Sequence, residues 1–440
     1  MENTSKNPYK GIYPYDDSKV KVTVSGGSDY INASFIDSHK CEQYWPDPKT
    51  TKAYGEIQVE SRSEDEYAEF TRRIFTVMTG TEERTLHHMH FTCWPDKAIP
   101  DDFTAMIEFR QRVLCKPSTL NGSTVVHCSS GVGRTGTYIA LDILTEEGET
   151  VKAIDIPGCV HKMCQNRPNM VQTLEQYQFL HTAVVYSLTF DCKQVRGENF
   201  NQYMKKHTTQ QLHNTFKQLQ HMVDKRSKDE TEAVELGKQQ LSKNRANVGI
   251  PSFRVMKRYL VARTPLPETV VDFLKLVVQE RCSCIVSFEA DIDKQKIIGT
   301  YYPAENKDVL KKGLFEVSCT KEDKNTFYAE RTLQIQHKGA GFTDWDEMKN
   351  IPRSTSNFLS FLNVIENVTK MEDGGPIMVH CFDGAGKNGL FCVVSLLLQK
   401  MAAEHAVSVL NAIRKVKTTR RLAIPNQVHM NSRREQTTNM

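Results

Sequence analysis

The chain has 440 residues, with 57 basic and 53 acidic side chains and a net charge of +4. This length predicts two domains, and the near balance of charge gives no reason to expect a nucleic-acid partner. The polar N-terminus and the short apolar run near 389–398 predict neither a signal peptide nor a membrane-spanning helix. The 12 cysteines show no framework spacing, which favours a reducing, cytoplasmic compartment. Cys159 and Cys164 flank His161 without a second ligand pair, so we interpret them as structural and expect no metal.

Three strands are predicted in the first quarter of the chain. Residues 56–62, 72–80 and 85–92 alternate apolar and polar positions, and they lead to Trp94-Pro95-Asp96. A carboxylate on a loop that proline stiffens can close over a bound phosphate and act as a general acid. Trp-Pro-Asp alone is a weak turn signal, so this interpretation of Asp96 depends on the motif that follows.

The central feature of the sequence is the string from Ser123 to Gly136. Ser123–Val126 predicts a short buried strand, the glycines predict a turn, and the apolar residues beyond Gly136 predict a helix. The backbone N–H groups of such a turn and of the first helical turn form a concave site for an anion. The sequence therefore predicts a cradle for a tetrahedral oxyanion where this helix begins.

Cys128 and Arg134 lie at the two ends of the predicted turn. The N–H groups and the guanidinium would stabilise a thiolate at Cys128 and so make it a nucleophile. Arg134 can offer a bidentate fork to two phosphoryl oxygens, which lysine cannot do equally well. A structural core thiol is the alternative, and it would be preferred for an isolated Cys-x5-Arg. The complete glycine-rich string favours phosphoryl chemistry.

Amphipathic helices are predicted over 103–115 and 172–189. Gln172 and Gln176 lie at the start of the second helix. A glutamine amide can orient a water molecule without competing as a nucleophile, which a covalent phosphoenzyme needs in its second step. Two surface glutamines on a polar helix start are the alternative interpretation.

Residues 191–248 are highly charged and separate two similar halves. A helical period of apolar residues predicts an amphipathic helix here, and a coiled coil is the rival interpretation although the pattern ends early. The apolar positions are Leu212, Phe216, Leu219 and Val223.

The second half repeats the motifs of the first, which indicates an internal duplication. Cys381 begins a second glycine-rich loop, in which Lys387 replaces the arginine. Trp345-Asp346-Glu347 stands where the first half has Trp-Pro-Asp, and no glutamine loop follows 422–427. We therefore expect Cys381 to keep a cradle but to lose the guanidinium fork, the usual acid and the glutamine that would hold water.

Each half contains a segment that the other lacks. Residues 266–278 predict an amphipathic helix and 285–288 a buried strand, and the first half has no counterpart of either. Conversely, the second half has no counterpart of residues 29–33. Loss of a helix and a strand uncovers large apolar side chains, so we expect the first domain to be marginally stable or unfolded.

Together these motifs resemble the receptor-type, tandem-domain protein tyrosine phosphatases. The resemblance implies an α/β fold with tandem phosphatase-like domains, each a twisted mixed sheet flanked by helices, and both apparently without a family segment. It implies a catalytic domain over 7–190, a helical linker over 191–248 and a second, inactive domain over 249–427. Tyr9 is similar to the family's substrate-recognition tyrosine, although Pro8 and Gly11 depart from the usual pattern.

The resemblance also implies a role for each motif residue. Cys128 would attack phosphorus, Asp96 would protonate the leaving tyrosine, and Thr135 would hydrogen-bond the departing thiolate. Gln176 would position water with support from Gln172. The substrate would contact Arg134, Tyr9 and the loop residues Ser129, Ser130, Gly131, Val132 and Gly133. The degenerate second site would comprise Cys381, Lys387 and Glu347.

The implied activity is hydrolysis of phosphotyrosine in proteins, with no cofactor and no metal. The implied partners are phosphotyrosine-containing proteins, in the cytoplasm or on the intracellular part of a membrane receptor, and contacts between domains or between two copies stay open. The alternative is a catalytically impaired, phosphotyrosine-binding scaffold, which the absent segments favour. A dual-specificity phosphatase is a third interpretation, against which Tyr9 and the tandem layout count.

Overall fold

The computed structural model describes residues 43–95, 98–100, 102–116, 124–223, 248–250, 252–255, 258–289, 298–303, 308–335, 337–342, 345–346, 351–370 and 375–424. Tyr9, the segment 29–33, Asp96, Glu347 and the end of the chain lie outside these residues. The chain divides into two compact units, Met1–Lys193 and Gln194–Met440. Within the described part, no helix has the length and apolar character needed to span a membrane.

Four strands form the described sheet of the first unit, and all of their pairings are antiparallel in the order β1-β2-β3-β4. The three predicted strands are confirmed and correspond to β2, β3 and β4. Two aromatic side chains of β3, Phe70 and Phe75, are buried, the first against Phe109 of the helix that follows and the second against His88 of β4. The strands are β1 (Thr51–Tyr54), β2 (Ile57–Glu66), β3 (Phe70–Thr79) and β4 (Glu82–Phe91).

Four helices complete the described part of this unit, and side chains fix where three of them begin. The Asp102 carboxylate accepts from the Thr104 N–H, Asp155 accepts from Gly158, and the Thr173 hydroxyl accepts from Gln176. These bonds satisfy backbone donors that the helix itself leaves unpaired. The helices predicted after the cysteine loop and over 103–115 and 172–189 are therefore confirmed. The helices are α1 (Phe103–Leu114), α2 (Gly133–Val151), α3 (Ile156–Asn166) and α4 (Leu174–Thr189).

The prediction of a buried strand before Cys128 is wrong. Thr124–His127 lies in no strand, and the Val125 side chain is 80% exposed. The local preference of these residues for β structure is unsatisfied because no described strand pairs with them. A strand is stable only when its backbone groups bond to neighbours, so propensity alone does not produce one here.

The second unit contains the mixed sheet that the sequence predicts. Its eight strands run in the order β6-β7-β15-β8-β12-β11-β10-β9, and β15 is parallel to both of its neighbours. The strands of this sheet are β6 (Val248–Ile250), β7 (Tyr259–Arg263), β8 (Cys284–Ser287), β9 (Val309–Lys312), β10 (Phe315–Lys324), β11 (Tyr328–Leu333), β12 (His337–Phe342) and β15 (Ile377–Cys381). Two short ribbons pair β5 (Val195–Arg196) with β16 (Ala406–Val407) and β13 (Trp345–Asp346) with β14 (Ile351–Pro352).

Helices cover this sheet and bury its core. The amphipathic helix predicted in 191–248 is confirmed as α6, whose Phe216 ring lies 5.6 Å from the Lys417 ammonium of α10. Phe216 and Leu219 of this stripe are buried within the second unit, so the stripe is accounted for without a coiled coil. The helices are α5 (Gly197–Lys206), α6 (Thr209–Val223), α7 (Val270–Gln279), α8 (Thr355–Lys370), α9 (Gly386–Glu404) and α10 (Val409–Thr419).

The strand that carries Cys381 shows what its counterpart in the first unit lacks. β15 is completely buried between β7 and β8, and Met378 packs in one cluster with Leu260, Phe273 and Ile285. These partners belong to β7, α7 and β8, and the first half has no sequence that matches α7 or β8. The confirmed helix and strand over 266–288 therefore support the cysteine loop of one unit only.

Because only one of the two segments is a buried strand, truncating a side chain should destabilise the protein at one of two matched positions and not at the other. Met378→Ala should lower the free energy of unfolding of the second unit by ~2–5 kcal/mol, as expected for a fully buried methionine. Val125→Ala, at the equivalent position of the first unit, should change stability by less than ~0.5 kcal/mol because the side chain is exposed. Urea unfolding of the full chain measures both. A loss at Val125 as large as at Met378 would show that a buried strand does form before Cys128.

Candidate active site

Cys128 begins a turn that leads directly into α2. Its side chain is buried, and Gly131 adopts a positive φ of 68°, which only glycine adopts without strain. α2 starts at Gly133, and Val132 precedes it without a side-chain cap. The N–H groups at the helix start therefore border the turn, as an anion-binding site requires.

The two glutamines reach the start of this helix. A Cβ added to Gly133 would lie 2.9 Å from Gln176 Nε2 and 3.2 Å from Gln172 Oε1, so both amides abut the loop. The Gln176 Oε1 atom also accepts from the Gln172 N–H at 2.9 Å, which fixes the orientation of its amide. The structure thus brings both glutamines against the cysteine loop although they lie about forty residues away.

Arg134 and Thr135 occupy the first turn of α2. The Arg134 Nη2 group donates to the Pro95 carbonyl at 3.5 Å, and this links the loop to the Trp94-Pro95 segment. The Trp94 indole N–H in turn donates to Ala98 at 2.8 Å. Thr135 is buried, and its hydroxyl has no hydrogen-bond partner among the described residues. A buried hydroxyl at this place can serve a group that arrives with the reaction.

Arg167 also bonds to the loop, although no sequence motif indicated a role for it. Its Nε atom donates to the Gly131 carbonyl at 2.9 Å, and its Nη2 atom donates to the Ser130 carbonyl at 3.1 Å. These bonds give two loop carbonyls a partner and tie the loop to the segment before α4. Arg167 precedes a proline in a polar segment, where nothing in the local sequence distinguishes it from a surface arginine.

A polar cluster lies behind Cys128. The Tyr44 hydroxyl contacts His127 Nε2 at 2.7 Å and His88 Nε2 at 3.1 Å. Burial lowers the pKa of His127, while burial and the Arg73 charge lower the pKa of His88 to about 3. Burial also raises the pKa of Tyr44 to about 12. The cluster is therefore neutral near pH ~7 and contributes hydrogen bonds rather than charge beside the thiol.

The second unit holds its own cysteine differently. Cys381 is completely buried, and its pKa is raised well above the ordinary value, first by burial and then by the Asp383 charge and hydrogen bond. The Lys387 ammonium donates to the Phe288 carbonyl at 3.2 Å and lies over the Trp345 ring. It is thus engaged with the core beneath the loop. Among the described residues of the chain, no three His, Cys, Asp or Glu side chains are grouped to hold a metal ion.

Comparison with known proteins gives a consistent family assignment. The family model described as protein-tyrosine phosphatase matches residues 3–40, 37–186 and 245–431. The chain is 28% identical to receptor-type tyrosine-protein phosphatase S of Gallus gallus over 511 residues, covering 95% of this chain and 33% of that protein. It is 28% identical to receptor-type tyrosine-protein phosphatase F of Danio rerio, covering 95% of this chain and 26% of that protein. It is 27% identical to a tyrosine-protein phosphatase Lar-like of Caenorhabditis elegans, covering 97% of this chain and 23% of that protein.

Two features of these matches bear on the arrangement of the chain. The chain spans only between 23% and 33% of the length of these relatives. The alignment to the Gallus gallus protein is 511 residues long, which exceeds the 440 residues of the chain, so some of its positions have no counterpart here. In the first half, the family match is also divided into two pieces that meet at 37–40.

Because the folded first unit lowers the pKa values of His88 and His127, we expect it to lose stability in mild acid. His88 binds a proton near the ordinary value of 6.5 when unfolded but only near 3 when folded. Below about pH 6.5 the unfolded state therefore binds more protons, and this contribution to stability, present above that pH, falls progressively. The urea midpoint of the first unit should decrease between pH ~7.5 and ~5.5. In His88→Asn the urea midpoint should depend less on pH. If the midpoint of that variant fell as steeply as in the wild type, His88 would not be the group responsible.

Proposed function

Because the chain belongs to the protein-tyrosine phosphatase family, we propose that its first unit hydrolyses phosphotyrosine in proteins through a cysteinyl-phosphate intermediate. One observation carries the proposal: Cys128, Arg134 and the amides of Gln172 and Gln176 converge where α2 begins. A nucleophile, an oxyanion cradle and a water-holding pair are the three components that this reaction needs.

In the first step, Cys128 attacks phosphorus as the thiolate, and the bond from phosphorus to the phenolic oxygen breaks. Arg134 and the N–H groups of the loop stabilise the equatorial oxygens, where negative charge is concentrated in the transition state. Asp96 gives its proton to the departing phenolate oxygen. The bond from Arg134 to the Pro95 carbonyl supports this role, because it couples the phosphate-binding side chain to the loop that carries Asp96.

In the second step, a water molecule attacks the phosphocysteine and the bond from sulfur to phosphorus breaks. Gln176 and Gln172 orient the water, and the Asp96 carboxylate accepts its proton. The Thr135 hydroxyl donates to the thiolate as it leaves, which would give that buried group the partner it lacks in the described structure. Tyr9 would stack on the substrate ring. The cradle supplies the positive charge, so the reaction uses no metal.

The second unit regulates or docks and contributes no turnover. The Lys387 ammonium is bonded to the Phe288 carbonyl, and a point charge cannot reproduce a planar fork. The raised pKa of Cys381 keeps its thiol protonated at neutral pH. By analogy with the relatives named receptor-type, we place the chain in the cytoplasm as the intracellular part of a receptor.

A second candidate function is a phosphotyrosine-binding scaffold with impaired catalysis. It is favoured by the exposure of Val125 and by the absence of strand pairing at 124–127. Without neighbouring strands, the position of Cys128 depends on side-chain contacts to the loop and on α2, and a displacement of about 1 Å can cost ~10²-fold in rate. The division of the family match at 37–40 supports a missing segment there.

Serine substitutions at the two cysteines test the assignment of activity to the first unit. Cys128→Ser in the full chain should abolish turnover of an aryl phosphate and of a phosphotyrosine peptide, because a hydroxyl ionises far less readily than a thiol. Peptide binding should remain. Cys381→Ser is the matched control and should leave turnover unchanged. Residual turnover in the first variant that disappears only when Cys381 is also replaced would place activity in the second unit.

Restoring a helix and strand to the first unit separates the two candidate functions. A segment equivalent to 266–288, taken from a receptor-type relative, would be inserted between Ser38 and His39 of the full chain. We expect a higher melting temperature for the first unit and a rise in kcat of ~10²-fold, because the cysteine loop regains its supporting strands. If the chain without the insertion already melts cooperatively at the higher temperature with the same kcat, the scaffold hypothesis fails.

A further inference from the structure

The two cysteine loops share one backbone geometry. Gly131 and Gly384 have φ values of 68° and 66°, and the residues before the two helices have φ and ψ of −130° and −56° at Val132 and −139° and −61° at Ala385. Both helices then begin at a glycine, and the N–H groups of the second loop are directed as those of the first. The second loop is therefore a formed anion cradle.

Besides the replacement of Arg134 by Lys387, the loops differ at a position whose side chain bonds to the loop N–H groups in the second unit. Ser130 of the first unit corresponds to Asp383 of the second, and the Asp383 carboxylate turns back into the loop. Its Oδ1 atom accepts from the N–H groups of Ala385 at 2.8 Å and Gly386 at 3.0 Å, and its Oδ2 atom accepts from Gly386 at 3.3 Å. The equivalent donors in the first unit are those that would hold phosphoryl oxygens.

The same carboxylate also engages the cysteine. Cys381 Sγ donates to Asp383 Oδ1 at 3.1 Å, so the thiol is hydrogen-bonded by the group that fills the cradle. An ionised carboxylate beside the sulfur opposes formation of a thiolate, and the pKa of Cys381 is raised accordingly. One side chain thus satisfies the loop donors and holds the nucleophile in its protonated form.

Positively charged side chains bond to the loop that carries the Asp383 carboxylate, a residue that stays exposed to solvent. The Arg420 Nε atom donates to the Gly384 carbonyl at 2.6 Å, and the Arg263 Nε atom donates to the Phe382 carbonyl at 2.8 Å. A second carboxylate, that of Glu289, accepts from the Phe382 N–H, and its charge also helps to raise the pKa of Cys381. Removal of Asp383 would leave the cradle with its N–H donors and these two guanidinium groups.

We propose that Asp383 is an internal ligand that occupies the anion cradle of the second unit and closes it to phosphate, and that its removal opens a phosphate-binding site. The ligand class is a phosphate monoester or inorganic phosphate, the groups that fit the equivalent donors of the first loop. This inference concerns the second unit and does not depend on turnover by the first. The second unit would then have two reasons not to bind phosphate: Lys387 replaces the arginine, and Asp383 occupies the loop N–H groups.

The amides of the loop glycines test the proposal directly. The full chain would be labelled with isotopic glycine, and the amide signals of Gly384 and Gly386 followed by NMR during titration with inorganic phosphate. We expect no response in the wild-type chain. In Asp383→Ser, which restores the residue of the first unit, both signals should shift because the carboxylate no longer competes with phosphate for the loop N–H groups. The apparent affinity for phosphate should be at least ~10-fold above the limit set by the wild-type titration. Asp383→Ala should behave in the same way.

Glu289→Gln is the matched control, because it removes a neighbouring negative charge and leaves Asp383 in the cradle. It should leave Gly384 and Gly386 unresponsive. The signals of Gly131 and Gly133 report the first loop in the same sample, and their response tests the proposed function separately. The inference is overturned if wild-type Gly384 and Gly386 already respond to phosphate, if Glu289→Gln opens the cradle as Asp383→Ser does, or if both folded Asp383 variants stay unresponsive.

Discussion

The parallel pairing of β15 with β7 and β8 is the constraint on which the cysteine loop of the second unit depends. A buried strand can hold a loop in place only when its backbone groups bond on both sides and its side chains are packed. β15 meets both conditions, and its last residue is Cys381. In the first unit, Thr124–His127 precedes Cys128 without these neighbours. The loop is held instead by α2, the glutamines, Arg167 and the contact between Tyr44 and His127.

The two units therefore show complementary halves of one site. The first has the groups that we propose for phosphoryl transfer, Cys128, Arg134 and Gln176, together with a polar cluster that remains neutral. The second has the supporting sheet, yet Asp383 fills its cradle and Lys387 is bonded within the core. A duplicated domain needs only one working site, so the chemistry of the other can drift while its packing is kept. Good packing and good chemistry are separable properties of this fold.

Local patterns predicted much of this arrangement. The alternation in β2 to β4, the apolar stripe of α6 and the glycine-rich start of α2 are encoded by adjacent residues, and each formed where expected. The strand predicted over Ser123–Val126 did not form, because a strand depends on partner strands from distant parts of the sequence and not on its own residues alone. The side chains of Arg167 and Asp383 bond to backbone groups of a loop. Contacts of this kind produce no repeating pattern of residues, so the sequence does not predict them. The cluster of Tyr44, His88 and His127 likewise joins three distant segments.

A parallel sheet supports one cysteine loop and not the other, and amide hydrogen exchange in the full chain measures this support at matched residues. Met378 and Val379 should exchange only on unfolding of the second unit, whereas Val125 and Val126 should exchange at close to the rate of an unprotected peptide. Equal protection at both pairs of residues would mean that a paired strand precedes Cys128 as well, and the sheet would then not distinguish the two loops.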